Sequence, residues 1–218
     1  MKPSCTEAPP VFDDAFRAAF VSLLEWRRDV RRFKPDPVDP ALVEKLLHLA
    51  VLAPSVGNSQ PWRFVMVEDA GRRAAVRASF EECNAEALHA YSGEQAQLYA
   101  KLKLSGLDIA PVQIAVYCDT VPLEGAGLGR RTMPETLQHS VAAAVQTMAL
   151  ASRAWGLGLG IVTILDPRAV TRALDVPEEW SFVGYLCLGW PEEEHRDPEL
   201  VRYGWQDRLP FDRTVIRR

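Results

Sequence analysis

The stretch from Leu137 to Trp155 constrains this chain most. Val141, Val145, Met148, Ser152 and Trp155 recur on one helical face, and Ala142, Ala143, Ala144, Ala149, Ala151 and Ala154 keep the other faces narrow. A helix that is apolar and small nearly all round is buried on several faces. In 218 residues, enough for one substantial core, this predicts a helix inside the core or in a subunit interface.

A second constraint is the loop from Ala53 to Phe64, which lies between an amphipathic helical pattern (Leu42, Val43, Leu46, Leu47, Ala50, Val51) and a strand-like run, Trp62 to Val67. Pro54 stops the helix, and Pro61 biases Gln60 toward an extended backbone. Between them stand small or amide-bearing residues, Ser55, Gly57, Asn58, Ser59 and Gln60. Such a loop suits the edge of a flat polar ring; it is equally an ordinary helix-to-strand connection.

Upstream, Phe12, Phe16, Phe20, Leu23 and Leu24 recur at helical spacing, with Asp13 or Asp14 as N-cap. This helix leads into Arg27-Arg28-Asp29-Val30-Arg31-Arg32-Phe33. Arginines so crowded are costly to hold unless an anion sits among them, and guanidinium matches phosphate bidentately. If the segment stays helical, Arg27 and Arg31 share a face. A solvated helix end is the alternative. Asp39 and Pro40 then open the next helix as cap and first-turn proline.

Residues 71–105 hold two weakly apolar helical patterns joined around Tyr91-Ser92-Gly93, read either as a lid over a site or as a surface excursion. Val112 to Cys118 is a strand. Gly125 to Gly129 lacks the Lys-Ser or Lys-Thr pair of a phosphate loop and reads as a mobile loop. Gly156-Leu157-Gly158-Leu159-Gly160 follows a helix and precedes a strand, Ile161 to Leu165, the reverse of the dinucleotide fingerprint, which is therefore rejected. Asp166-Pro167 caps a short helix to Leu174, Phe182 to Leu188 is the last strand, and residues 192–218 form an arm that docks on something, a partner subunit being one option.

The length predicts a single domain, 1–218, with the 71–105 insertion and the 192–218 arm. Hydrophobic content of 48% and charged content of 25% are those of a soluble globular protein. A net charge of -4 argues against general nucleic-acid binding. Met1 to Phe12 lacks the apolar core of a secretory signal and no apolar run reaches about 18 residues, so a cytoplasmic protein without membrane contact is expected. Cys5, Cys83, Cys118 and Cys187 form no CxxC pair, which fits a reducing compartment rather than a disulfide framework. His48, His89, His139 and His195 lack metal-ligand spacing, and no metal site is assigned.

Taken in order, the Arg27-Arg28-Asp29-Val30-Arg31 segment, the Ala53 to Trp62 loop and the small-residue helix before the glycines resemble the flavin-dependent nitroreductase superfamily. Arg-Arg-Asp rather than Arg-Arg-Ser, Gln60-Pro61-Trp62, Tyr91-Ser92-Gly93-Glu94, Leu102-Lys103-Leu104, Leu186-Cys187-Leu188-Gly189 and Asp197-Pro198-Glu199-Leu200 narrow the resemblance. They match the members that consume reduced FMN with O2, break its ring system down to dimethylbenzimidazole and release erythrose 4-phosphate. The resemblance implies an α+β, three-layer fold with a central mixed sheet flanked by helices and a helical lid insertion. It also implies a homodimer with FMN sites at the interface and a flavin reductase as transient supplier of reduced FMN.

Residue by residue, the resemblance assigns phosphate and ring contacts to Arg27, Arg28, Asp29, Val30 and Arg31, the flavin loop to Ser55, Gly57 and Gln60, and the lid to Leu104. Asp29 matches the functional aspartate near the reactive ring, and Thr163 the hydroxyl residue, typically Ser, at its reactive edge. These two are the expected catalytic residues. Gln95 is assigned to the cofactor site where Arg often stands. The competing expectations are an NAD(P)H-dependent nitro or quinone reductase on the same fold and a non-catalytic flavin-binding protein.

Overall fold

In the computed structural model the described residues are 8–218, so Cys5 and most of the Pro-rich start lie outside them. Four strands, β1 (Trp62–Met66), β2 (Val112–Asp119), β3 (Gly158–Val162) and β4 (Trp180–Gly189), form a sheet of order β1-β2-β4-β3. Each neighbouring pair is antiparallel. The mixed character of the sheet comes from outside the named strands, where Asp29 makes a parallel bridge to Leu159 at the free edge of β3.

Period-two alternation divides the strands between two cores. Ile114, Val116 and Cys118 of β2 and Leu186 and Leu188 of β4 face one way, against α2 (Pro40–Ala50) and α5 (Thr136–Ala154). Ala115, Tyr117, Tyr185 and Cys187 face the other way, toward α6 (Pro167–Leu174) and α3 (Ala70–His89). The result is the three-layer α+β arrangement expected, with α5 central: Val141, Ala144 and Met148 are fully buried. Burial pushes the Cys118 thiol up to about 11 and the Cys187 thiol up to about 12, so both act as small hydrophobes.

Local chemistry sets the helix starts. Asp39 accepts the Ala41 amide at 2.9 Å with Pro40 in the first turn, and Asp166 accepts the Arg168 amide at 2.9 Å with Pro167 behind it. In α1 (Asp14–Trp26), Asp13 is the cap and accepts the Phe16 amide at 2.8 Å. No residue of α1 is buried; Phe16 and Phe20 are 49% and 45% exposed.

Three expectations are corrected. The arginine segment is not helical, because α1 ends at Trp26 and Arg27 is extended at φ -67, ψ 120. The strand after the glycines begins at Gly158 and ends at Val162, because the glycines are themselves strand residues that a neighbouring segment crosses. The Gly125–Gly129 loop is packed rather than loose: a Cβ on Gly125 would lie 2.8 Å from the Gly57 carbonyl oxygen. The arm, as expected, docks: α7 (Glu199–Arg202) and Trp205 pack on the same protomer, the Trp205 ring lying 5.5 Å from Tyr91 and 6.0 Å from Tyr99.

Residues 71–105 divide in two. The first half of α3 is a fixed layer, since Arg73 donates to the Val67 and Pro111 carbonyls at 2.7 and 3.1 Å and Val76 and Ser79 are buried. The more peripheral part is α4 (Gly93–Tyr99) and the run to Ser105.

Candidate functional site

The extended segment 27–32 lies along the outer edge of β3. Val30 donates its amide to the Leu159 carbonyl at 3.1 Å. Gly160 is what admits it: a Cβ there would sit 1.9 Å from the Val30 carbonyl oxygen, and one on Gly158 2.7 Å from the Val30 side chain. Glycines inside a strand mark such close approaches. That spacing of two was the available sequence signal for this contact.

Extended geometry sends alternate side chains to opposite sides. Asp29 and Arg31 come together, with Asp29 Oδ2 accepting from Arg31 Nε at 3.0 Å and Nη2 at 2.9 Å. Asp29 Oδ1 accepts the Ile161 amide at 2.8 Å. Arg31 also donates to the Lys103 carbonyl at 3.0 Å, which brings Leu104 beside the segment. Arg32 turns away to Glu199 at 2.6 Å.

Arg27, Arg28, Asp29, Arg31 and Glu199 line a cleft of about 200 Å³, and Arg208 of the arm joins them. Arg28 Nε donates to the Arg196 carbonyl at 2.7 Å. Burial, and then the positive charges of Arg208 and Arg27, lower the Arg28 pKa. A guanidinium held among like charges gains from an anion more than an isolated one would. Arg208 was missed from the sequence because it stands alone in a polar tail, about 180 residues from the arginines it joins.

The Ser55–Gln60 loop is built at the start of β1, the opposite edge of the sheet. Ser140 Oγ of α5 accepts the Val56 amide at 3.0 Å, and Ser55 Oγ accepts the Gln60 amide at 3.0 Å. Gly57 has φ +58, and a Cβ there would lie 3.0 Å from both the Gly125 and Leu128 carbonyl oxygens. Gln60 is not extended as Pro61 would favour but has φ +47. Its amide is captured by Ser55 and its carbonyl by Arg63 at 3.1 Å.

Thr163 is exposed just past β3, two residues beyond Ile161, so Asp29 and Thr163 neighbour the same strand end. Gln95 is an exposed residue of α4 and shares no contact with the arginine cleft. A groove of about 690 Å³ between α6 and the start of β4, lined by Arg168, Thr171, Arg172, Trp180 and Phe182, contains none of the expected site residues. Among the described residues no group of three or more His, Cys, Asp or Glu could hold a metal ion, and no helix is long and apolar enough to cross a membrane.

The chain thus has an antiparallel sheet between helical layers, a close-packed small-residue helix, and an arginine segment bridged to one sheet edge. It belongs to the Nitroreductase family, whose profile matches residues 24–190. Within that family it is 55% identical over 209 residues to a 5,6-dimethylbenzimidazole synthase of Rhodospirillum rubrum, covering 96% of this chain and 98% of the relative. It is 50% identical over 201 residues to the synthase of the same name from Rhodobacter capsulatus, covering 92% and 97%. Among solved structures, oxidized iodotyrosine deiodinase bound to FMN and 3-iodo-L-tyrosine superposes with a TM-score of 0.70 at 24% identity, covering 91% of this chain and 97% of that one. That likeness is one of fold.

Proposed function

We propose that this chain converts reduced FMN and O2 to 5,6-dimethylbenzimidazole, releasing erythrose 4-phosphate. The structural observation that carries the reading is the one cleft that Arg27, Arg28, Arg31 and Arg208 line together, with Arg28 held in place by the Arg196, Arg27 and Glu25 carbonyls. This donor set fits the terminal phosphate of FMN. The nearly full-length similarity to the Rhodospirillum and Rhodobacter synthases supplies the reaction. Bound reduced FMN supplies both the electrons and the carbon skeleton of the product.

The protein's part is to hold, orient and shield. Arg27, Arg28, Arg31 and Arg208 hold the phosphate. Ser55, Gly57 and Gln60 offer hydrogen-bonding groups to the ring edge. They sit three strand spacings, about 14 Å, from β3, and in this reading the loop serves the site of a second copy, so that a homodimer carries two sites. The exposed Phe16 and Phe20 stripe of α1, which contacts α5, supports that assembly. Asp29 accepts from Arg31 and from the Ile161 amide, two residues before Thr163, and is the proton acceptor in this reading. The α4 region and Leu104 are the part of the 71–105 insertion free to exclude water. A flavin reductase supplies the reduced FMN, and the free thiols of Cys83, Cys118 and Cys187 suit a reducing cytoplasm.

The test is to mix the protein with reduced FMN in air and look for dimethylbenzimidazole by mass spectrometry. Bound flavin with no product, together with NAD(P)H-dependent reduction of nitro compounds, would overturn the synthase reading in favour of a reductase.

A further inference from the structure

We propose that Arg63 and Asp119 form a clamp that positions Gln60 for the flavin ring, an inference that rests on the flavin reading above. Gln60 is a non-glycine residue at φ +47 immediately before a proline. Neither condition is favourable, and a residue stays in such a conformation only when its surroundings over-determine it.

The surroundings here are specific. Arg63 Nη1 donates to the Gln60 carbonyl at 3.1 Å and the Trp62 carbonyl at 3.0 Å, while Nη2 donates to Asp119 Oδ2 at 2.6 Å. Asp119 is itself fixed on β2. Its amide donates to the Pro61 carbonyl at 2.8 Å, and its Oδ1 accepts the Val121 amide at 3.0 Å. The Arg63 guanidinium lies 5.7 Å from the Trp180 ring centroid, so β4 backs the clamp as well. The Asp119 side chain is 15% exposed and that of Arg63 31%, so the pair is shielded from full solvent screening.

The clamp acts on direction rather than on chemistry. Gln60 is exposed while Ser59 beside it is buried, and its Nε2 donates to the Asn58 carbonyl at 3.4 Å, so the backbone dihedrals of Gln60 and this contact together set where its carboxamide points. Without the clamp the residue before Pro61 relaxes toward extended backbone, and the carboxamide leaves the position it holds now. Arg63 and Asp119 stand at the β1 edge of the sheet, away from the arginine cleft at β3. They are positioning residues, and they bear on the ring rather than on the phosphate.

The experiment titrates the full-length protein with FMN and with riboflavin, following flavin fluorescence. It compares wild type, Gln60→Ala, Asp119→Asn, Arg63→Lys, and each clamp variant combined with Gln60→Ala. The clamp variants are expected to weaken FMN and riboflavin alike, by about fivefold, and to add nothing once Gln60 is alanine. Asp119→Asn is isosteric, and if it fails to fold, Arg63→Lys carries the same comparison. Losses that multiply in the double variants would mean Arg63 and Asp119 act through general stability, which overturns the clamp. Wild-type protein that binds neither flavin would overturn the flavin reading itself, a result separate from the first.

Discussion

Asp29 Oδ1 accepts the backbone amide of Ile161 at 2.8 Å across 132 positions of sequence. Its other oxygen is committed to Arg31. The carboxylate that the sequence marks as a catalytic candidate is therefore also the brace between the arginine segment and β3. A substitution there changes two things, and the choice of substitution separates them.

Asp29→Asn keeps an acceptor for Ile161 and removes the charge that Arg31 pairs with. Flavin binding is expected to fall only a few-fold, while product per bound reduced FMN falls by about 100-fold or more. Asp29→Ala loses the brace as well and should lose binding too. Thr163→Ser should keep the yield, and Thr163→Ala should divert reduced FMN to reoxidation. Product yield in air with bound flavin quantified separately decides; full yield from both Asp29→Asn and Thr163→Ala would make these side chains bystanders.

Arg28→Ala and Arg208→Ala should each weaken FMN binding by about 10- to 100-fold, the equivalent of a lost charge-assisted contact of about 1.5–3 kcal/mol. Riboflavin, which has no phosphate, should be nearly unaffected. Equal losses for the two flavins in a titration would remove the phosphate from this cleft.

Gly160→Ala places a methyl group 1.9 Å from the Val30 carbonyl oxygen, so the arginine segment must move. Overpacking of this kind costs about 1–3 kcal/mol, or about 2–12 °C in melting temperature for a chain this long. FMN affinity should fall with it. Calorimetry paired with titration checks both, and an unchanged melting curve would mean the edge contact is looser than it is here.

Phe16→Asp with Phe20→Asp puts charge on the exposed stripe of α1, none of whose residues is buried within the protomer. Sedimentation should shift from dimer to monomer at low micromolar concentration while far-ultraviolet circular dichroism stays unchanged. A wild-type protein that sediments as a stable, flavin-binding monomer would remove the interface from this face.

What could be read from the sequence was local. Asp39-Pro40 and Asp166-Pro167 announce their helices because cap and first-turn proline act within a few residues. The small-residue helix could be read because its pattern repeats over five turns. The 27–32 conformation was not, since the decisive partner is β3 and a helical continuation looks equally good without it. Gly158 and Gly160 were weighed against a nucleotide motif and dismissed, while their use, admitting Val30, depends on a segment met far earlier in the chain. Gln60 shows the same limit: Pro61 sets a local preference, and Arg63 with Asp119 overrides it from β1 and β2. Arg208 and the packing of Gly125 on Gly57 are likewise tertiary facts with no local mark.

The strand order β1-β2-β4-β3 holds the Ser55–Gln60 loop and the arginine segment at opposite rims of one sheet. If each site takes its loop from one copy and its arginines from the other, two crippled variants can repair each other. Arg28→Ala and Gln60→Ala proteins, each impaired alone at limiting flavin, should regain function when their subunits are exchanged in one tube. A hybrid pair carries one site with both lesions and one with neither, so random re-association returns about a quarter of the sites to the wild-type pattern.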